Sequence, residues 1–185
     1  SDYENLIGRC RVSDVICSPG SEFNGGEVEI SGAEVSASHA MPLGDRVSLE
    51  VAVSYTYSES EFRSTFYSRF PQWGLVREGD ELPYIPQSIG NARLSFFGQR
   101  WSVEGSFDFQ SVMREVPGIS SIEEDLHSED FAILDLSASY RLSDAFTLQV
   151  TVLNVADRAV IVSHRPFGAR PNRPRSLIGR VKYQF

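Results

Sequence analysis

The 185-residue chain carries a net charge of −8 and has a pI of about 4.9, which argues against general binding to nucleic-acid backbones, because such binding needs clustered Lys and Arg. Hydrophobic residues make up 41% of the chain, an ordinary share for a folded protein, so the composition also argues against disorder. No apolar run reaches the roughly 18 residues of a transmembrane helix, but transmembrane strands are shorter and alternate, so a membrane location stays open.

The first predicted strand, Asp2–Gly8, lies in a start, "SDYENLIGRC", that has no initiator Met and no signal peptide. Because this start has the pattern of the middle of a strand, we expect a piece of a longer chain. Cys10 and Cys17 follow at a spacing wider than a CxxC redox pair, and no second pair completes a zinc site. Two interpretations stay open: a disulfide that closes a surface loop in an oxidising compartment, or two free thiols.

The next two predicted strands have a clear period of two. Residues Glu27–Met41 alternate, but their apolar phase shifts near Ser31 and Gly32, and a β-bulge at Gly32 would explain the shift. Residues Arg46–Ser58 alternate without a break. Their apolar face carries Val47, Leu49, Val51, Val53, Tyr55 and Tyr57.

Five further alternating segments are predicted as strands: Gln87–Phe97, Trp101–Met113, Asp130–Leu142, Ala145–Val155 and the closing stretch Ser176–Phe185. Many of the eight segments are longer than the mean of about 5–6 residues in soluble sheets. They approach the length of about 9–11 tilted residues that crosses a bilayer. Tight connections ("PLGD", "GQ", "SDA") alternate with long polar ones, which is typical of outer-membrane barrels.

Aromatic residues are concentrated at two levels of these strands. Near the tight turns lie Phe96, Trp101, Tyr140, Phe146, Tyr183 and Phe185, and toward the other ends lie Tyr55, Tyr57, Phe107 and Phe109. Two aromatic girdles around an aliphatic band are expected of a lipid-facing surface. The residues expected to face the lumen on the opposite side are Glu50, Arg93, Glu104, Asp108, Asp135, Arg180 and Lys182. A soluble β-sandwich with an aromatic core is the alternative.

The closing stretch resembles the C-terminus of TonB-dependent outer-membrane receptors. That family shows an "N-(L/V)-x-D" strand end, a "GRPR"-like segment and a last strand that ends in aromatic-x-Phe. The counterparts here are Asn154 to Asp157, "RPNRPRS", and Tyr183 with Phe185, although "GARPNRPR" departs from a plain "GRPR". The resemblance implies that Tyr183 and Phe185 form the signal read by the outer-membrane assembly machinery.

Three other stretches, "DYENLIGRC", "FNGGEVEISGAE" and "EGDELPYIP", look like the ferric-citrate and related siderophore receptors of that family. The resemblance implies an all-β fold of antiparallel up-and-down outer-membrane β-barrel strands, in which residues 1–185 supply about eight strands of a barrel of about 22. It places the chain in the outer membrane of a Gram-negative bacterium. The plug domain and TonB box of the family are absent from these residues.

The resemblance also implies that the long loops bind a ferric chelate, and Arg is the natural bidentate partner of its carboxylates. The candidate ligand-binding residues are Arg63, Tyr67, Arg69, Gln72, Trp73, Arg77, Arg165, Arg170 and Arg173. A solvated loop or salt bridges to nearby Glu and Asp is the alternative for each of them. No catalytic motif and no metal-ligand spacing is present, so the sequence does not favour an enzyme.

The sequence thus predicts a receptor for TonB-dependent uptake of a ferric-citrate-like siderophore. Expected partners are the ferric siderophore, outer-membrane lipid and lipopolysaccharide, the assembly machinery, and the TonB energy-coupling complex through the missing N-terminal part. No cofactor is expected. The alternatives are a stand-alone eight-stranded barrel of structural or adhesion type and a soluble carbohydrate-binding β-sandwich.

Overall fold

The computed structural model describes residues 2–3, 7–9, 18, 20–24, 26–68, 73–119, 121, 126–164 and 168–185. Nearly all regular structure in these residues is β-strand. No helix in the described part of the chain is long and apolar enough to cross a membrane. Cys10 and Cys17, for which a disulfide was one interpretation, lie outside the described residues.

One antiparallel sheet forms the frame of the molecule. Its strands are β1 (Asp2–Tyr3), β4 (Val28–Pro42), β5 (Ser48–Phe62), β8 (Ser88–Phe97), β9 (Trp101–Gln110), β12 (Phe131–Arg141), β13 (Phe146–Leu153) and β16 (Ser176–Tyr183). Four two-stranded ladders join β2 (Ile7–Arg9) to β3 (Glu22–Asn24), β6 (Phe66–Tyr67) to β7 (Leu75–Val76), β10 (Met113–Arg114) to β11 (His127–Ser128), and β14 (Ile161–Ser163) to β15 (Arg170–Pro171). The sheet order, β1-β4-β5-β8-β9-β12-β13-β16, is up-and-down and confirms the predicted fold class.

The predicted strand positions are confirmed for the seven longer segments, with small shifts at their ends. Strand β5 continues past Ser58 to Phe62, and the last strand ends at Tyr183, although the Gln184 amide still donates to the Ala145 carbonyl at 2.9 Å. The first segment differs from the prediction, because β1 joins the main sheet while β2 pairs with β3 in a ladder of its own.

The predicted β-bulge at Gly32 is wrong. Strands β4 and β5 pair one to one from Val28↔Phe62 to Pro42↔Ser48 without a shift in register. Gly32 is instead a point of close backbone approach, since a Cβ there would collide with the carbonyl oxygen of Tyr57. The apolar phase changes because Val28 belongs to the other face of the sheet, where a loop covers it.

The two faces of the sheet differ sharply in polarity. Successive side chains of a strand point to opposite faces, so the register places most aliphatic and aromatic positions of the long strands on one face, the apolar face. Exceptions on the polar face include Val28, Phe62, Ile89, Phe97, Ile133 and Ile178. Its exposed members include Val35, Val53, Leu94, Val103, Phe107, Leu136, Val150, Leu177 and Val181. A monomer in water rarely exposes a contiguous apolar surface of this extent, so lipid or protein must cover it.

The three tight connections lie together at one end of the sheet, the turn rim. They are residues 43–47, 98–100 and 142–145, and each is closed by a backbone hydrogen bond. At 43–47 the Leu43 amide donates to the Val47 carbonyl at 2.7 Å, and Gly44 adopts a φ of 77°. Short local bonds therefore define this rim.

The long connections lie at the opposite end, the loop rim, and each described one contains a two-stranded ladder. The loop 63–87 folds over the polar face of the sheet and buries a small apolar cluster of Val28, Phe62, Val76 and Leu82. Phe62 is completely buried there. This cluster gives the loop rim a core of its own, separate from the apolar face.

Candidate functional site

The predicted ligand-binding residues of loop 63–87 do not share one face of the sheet. The Arg63 guanidinium pairs with Glu29 and, at 2.9 Å, with Glu61, and those two carboxylates are register partners on the apolar-face side. Arg63 therefore points away from the polar face. The hydrogen bond to Glu29 is the main cause that raises the pKa of the Arg63 guanidinium above its ordinary value.

Trp73 and Tyr67 occupy different environments in the same loop. Trp73 packs edge-on against the buried Phe62, with ring centroids 6.0 Å apart, and so contributes to the apolar cluster. Tyr67 is 78% exposed and pairs in register with the exposed Leu75. The hairpin thus turns one side into the cluster and presents the other side to the surroundings.

The remaining predicted arginines that the structure describes are exposed. Asp80 orders the turn at Arg77, because its carboxylate accepts the Arg77 amide at 2.8 Å while its own amide donates to the Arg77 carbonyl at 3.0 Å. Arg170 lies in β15 and Arg173 follows it in loop 154–175, both with solvent-facing side chains. The other predicted ligand-binding residues, Arg69, Gln72 and Arg165, lie outside the described residues.

The "NVAD" segment forms a compact hydrogen-bonded turn at the loop rim. Asn154 is 3% exposed and has a φ of 50°. Its side-chain Nδ2 donates to the Arg158 and Arg173 carbonyls at 2.9 and 3.0 Å. Its side-chain oxygen accepts the Arg158 amide at 3.0 Å, and its backbone amide donates to Asp135 at 2.7 Å. Asp157 accepts the Arg175 amide at 2.9 Å. Asn154 and Asp157 therefore tie both ends of loop 154–175 together.

Two consecutive buried charges in loop 111–130 were not predicted from the sequence. The Arg114 side chain is only 10% exposed, and its Nε donates to Glu81 of loop 63–87 at 2.5 Å. The Tyr84 amide also donates to the Arg114 carbonyl at 2.8 Å, with Tyr84 at a φ of 65°. Arg114 thus joins two neighbouring loops.

Glu115 is completely buried and joins loop 111–130 to the loop on its other side. Its Oε1 accepts the His164 amide at 2.6 Å and lies 3.6 Å from His164 Nδ1. In the described part of the chain, the buried side-chain atoms without a hydrogen-bond partner are Glu115 Oε2, Ser128 Oγ and His164 Nδ1. Ser128 belongs to the same β10–β11 ladder, where it pairs in register with Met113. The sequence gives only a weak signal for Arg114 and Glu115, which are two opposite charges flanked by apolar residues in "SVMREVPG".

The residues predicted to face the lumen all lie on the polar face, and several contact other polar side chains there. Asn91 donates to Asp108 at 2.7 Å, and Arg93 lies 4.0 Å from Glu104. Arg180 donates to Gln149 at 3.5 Å. In the described residues, no group of three or more His, Cys, Asp or Glu side chains is arranged to hold a metal ion.

The C-terminal aromatics lie at the turn rim on the apolar face. The Tyr183 ring contacts Phe146 of β13 with centroids 4.8 Å apart and contacts Phe185 at 6.2 Å. Trp101 and Tyr140 are register partners at the same rim. The predicted aromatic girdle at this end is therefore present on the exposed apolar face.

Comparison with known proteins agrees with this architecture. Residues 1–155 match the family described as TonB dependent receptor-like, beta-barrel. The Iron-regulated outer membrane virulence protein of Vibrio cholerae is 25% identical over 170 residues, covering 86% of this chain and 24% of that protein.

Two solved structures show the same fold at low sequence identity. The ferric-catecholate import receptor Fiu of Escherichia coli K12 has a TM-score of 0.70 and 18% identity, covering 100% of this chain and 24% of that one. The ferric citrate transporter FecA has a TM-score of 0.70 and 19% identity, covering 98% and 27%. The chain spans about a quarter of the length of the relatives it matches. It belongs to the TonB-dependent receptor β-barrel family and lies in the outer membrane of a Gram-negative bacterium.

Proposed function

We propose that this chain is the C-terminal part of the barrel of a receptor for TonB-dependent uptake of a ferric siderophore. In this role it is a transport protein and not an enzyme. The observation that carries the proposal is a sheet with one exposed apolar face that bears aromatic residues toward both ends, one polar face, and long loops at a single rim. Lipid covers the apolar face, the polar face lines the lumen, and the loop rim faces the outside.

The edges of the sheet support the proposal that further strands complete a larger barrel. In the described residues, β1 pairs only with Val28 and Glu29 of β4, which leaves most of that edge open, and β16 pairs on one side only. Unpaired backbone groups are costly in lipid, so an open sheet of this kind needs pairing partners at both edges, which further strands of a larger barrel would supply. The open edges do not favour a stand-alone eight-stranded barrel, and the uncovered apolar face does not favour a soluble sandwich.

We infer that the ferric chelate binds at the loop rim. The exposed Arg77, Arg170 and Arg173 supply guanidinium groups suited to carboxylate oxygens, and Tyr67 supplies an exposed ring and hydroxyl. These side chains favour an anionic, carboxylate-bearing chelate such as ferric citrate. Arg63 is a weaker candidate, because its guanidinium already forms ion pairs with two carboxylates.

The other partners follow from the same proposal. The energy-coupling TonB complex acts through the N-terminal part that these residues do not include, and lipopolysaccharide surrounds the outer half of the apolar face. Tyr183 and Phe185 form the signal for the assembly machinery, so deletion of Phe185 in the receptor should reduce its amount in the outer membrane. A disulfide between Cys10 and Cys17 should protect both thiols from alkylation until a reductant is added.

Iron-limited growth of a strain that lacks other receptors tests the function. Cells carrying the receptor that contains this chain should grow with ferric citrate and should depend on TonB. Replacement of Arg77, Arg170 and Arg173 by Ala should weaken binding of ferric citrate more than that of a neutral ferric chelate. Growth that needs neither TonB nor any ferric chelate would rule the proposal out.

A further inference from the structure

Loop 111–130 lies between the two loops that carry the proposed ligand-binding arginines. We propose that its residues Arg114 and Glu115 are positioning residues that clasp loop 63–87 on one side and loop 154–175 on the other, so that the three loops form one cap. This proposal rests on the proposed function for its consequence, chelate binding, but its structural part can be tested separately.

The two side chains can serve opposite neighbours because they are consecutive. Arg114 belongs to β10, and the Glu115 amide continues the same ladder by donating to the Leu126 carbonyl at 2.8 Å. Consecutive residues of an extended segment point to opposite sides. Arg114 therefore reaches Glu81 on one side, and Glu115 reaches His164 on the other.

Burial makes each contact selective for its partner. The Arg114 side chain is largely enclosed, while the Glu81 side chain is 41% exposed, and the bond between them is charge-assisted. The Glu81 amide donates to the Gly118 carbonyl at 3.2 Å, so backbone pairing accompanies the ion pair. Displacement of loop 63–87 would leave a buried guanidinium without its carboxylate.

The Glu115 side of the clasp differs because it is incompletely satisfied. The completely buried carboxylate uses Oε1 to hold the His164 amide, while Oε2 and His164 Nδ1 have no hydrogen-bond partner. The neighbouring Glu129 amide donates to the Ile161 carbonyl at 2.9 Å, and its carboxylate accepts the Ile161 amide at 2.9 Å, so loop 154–175 also follows this ladder. Glu115 thus holds the residue that follows β14 in loop 154–175. Because two buried atoms there have no hydrogen-bond partner, we expect this contact to be weaker than that of Arg114 with Glu81.

Distances between spin labels on the complete receptor test the clasp. Labels are attached at the exposed positions Tyr67, Ile119 and Arg170, each changed to Cys in pairs, in a background with Ser in place of Cys10 and Cys17. The Tyr67–Ile119 pair reports on the first contact, and the Ile119–Arg170 pair reports on the second.

The two positions are replaced by apolar residues of similar length, to avoid cavities. Arg114→Met should broaden the Tyr67–Ile119 distance distribution and leave the Ile119–Arg170 distribution unchanged. Glu115→Met should broaden the Ile119–Arg170 distance distribution and leave the Tyr67–Ile119 distribution unchanged. Arg114→Lys keeps the cation and Glu115→Gln keeps an acceptor for the His164 amide, so both should remain close to the parent distributions.

An exposed ion pair in the same region supplies the control. Arg158 lies 3.7 Å from Asp130, and both side chains are about half exposed, so Arg158→Met should leave both distributions unchanged. Mobility in gels before and after heating checks that each barrel is folded. The proposal is wrong if neither Met variant alters its own distance distribution, or if each alters both.

Binding of ferric citrate to the unlabelled receptor then links the clasp to function. Each Met variant should weaken binding by about 3- to 30-fold, the range that changes between coupled elements reach. If the distributions broaden as expected but ferric citrate and a ferric tris-catecholate bind as before, the clasp stands and the chelate site proposed for these loops is wrong. If binding falls while both distributions stay unchanged, the clasp is wrong.

Discussion

The turn rim and the loop rim of this sheet are stabilised in different ways. At the turn rim, three connections of a few residues close through bonds between near neighbours in sequence, such as Gly98 to Trp101 at 2.8 Å. At the loop rim, side chains hold backbone groups that lie far away in the chain, as Asn154 holds the carbonyl of Arg173. The first kind of order depends on local pattern, and the second depends on individual polar residues.

This difference separates the part of the molecule that crosses the membrane from the part that carries the proposed binding function. The band between the girdles tolerates exchange among apolar residues, because lipid requires only apolarity and length. The loop rim has less of this freedom, because many of its buried donors and acceptors bond to one particular partner. The effect of a substitution on stability should therefore depend on whether the new residue is apolar in the band, and on which contact is lost at the loop rim.

The largest expected effect comes from a charge in the band. Val150→Arg places a cation at the middle of β13 on the apolar face and should destabilise the folded barrel by about 2–4 kcal/mol. Thr151→Arg, on the adjacent polar face, is the matched control and should have a much smaller effect. Urea unfolding in lipid vesicles measures both, and equal losses would contradict the assignment of the faces.

Asn154→Ala should have the next largest effect, now confined to the loop rim. It removes three side-chain hydrogen bonds at a buried position, which we expect to cost about 3 kcal/mol locally. Hydrogen exchange of the Arg158 amide should accelerate, while amides in the middle of β13 should not change. Asn154→Gly accommodates the φ of 50° but lacks the amide, so it should recover only about 1 kcal/mol of the loss.

Trp73→Ala sharpens the comparison within one loop. Because Trp73 is partly buried against Phe62, its removal should destabilise the hairpin by about 2 kcal/mol. The readout is exchange of the Ser68 amide, whose bond to the Gly74 carbonyl at 2.8 Å closes the hairpin. Tyr67→Ala is the control and should change this exchange by less than about 0.5 kcal/mol, since its ring is exposed.

Arg63→Ala should have the smallest effect on stability. Its ion pairs with Glu29 and Glu61 are close to half exposed, and exposed pairs are screened by salt and solvent. The urea midpoint of the barrel should be unchanged at both low and high salt. A clear loss that disappears at high salt would show that this pair matters more than its exposure indicates.

Sequence reasoning predicted the strands more fully than the binding rim. The period of two located seven long segments and the face of every lumen residue, because alternation in a strand is also alternation between environments. It failed at Gly32, where the change of phase came from a loop covering Val28 and not from an extra residue in the strand. It also grouped Trp73 with Arg63 as candidate ligand contacts, although the fold turns them to opposite sides of the sheet.

The sequence by itself determined the all-β class, the strand positions, the two faces and the aromatic girdles, since each of these follows from the alternation of residues close together in the chain. Only the tertiary structure decided how the loop rim is held together. The contacts of Arg114 with Glu81 and of Glu115 with His164 join residues 33 and 49 positions apart. No sequence period relates such residues. Arg114 and Glu115 become buried only after the strands have brought the loops side by side, so their partners cannot be read from the sequence.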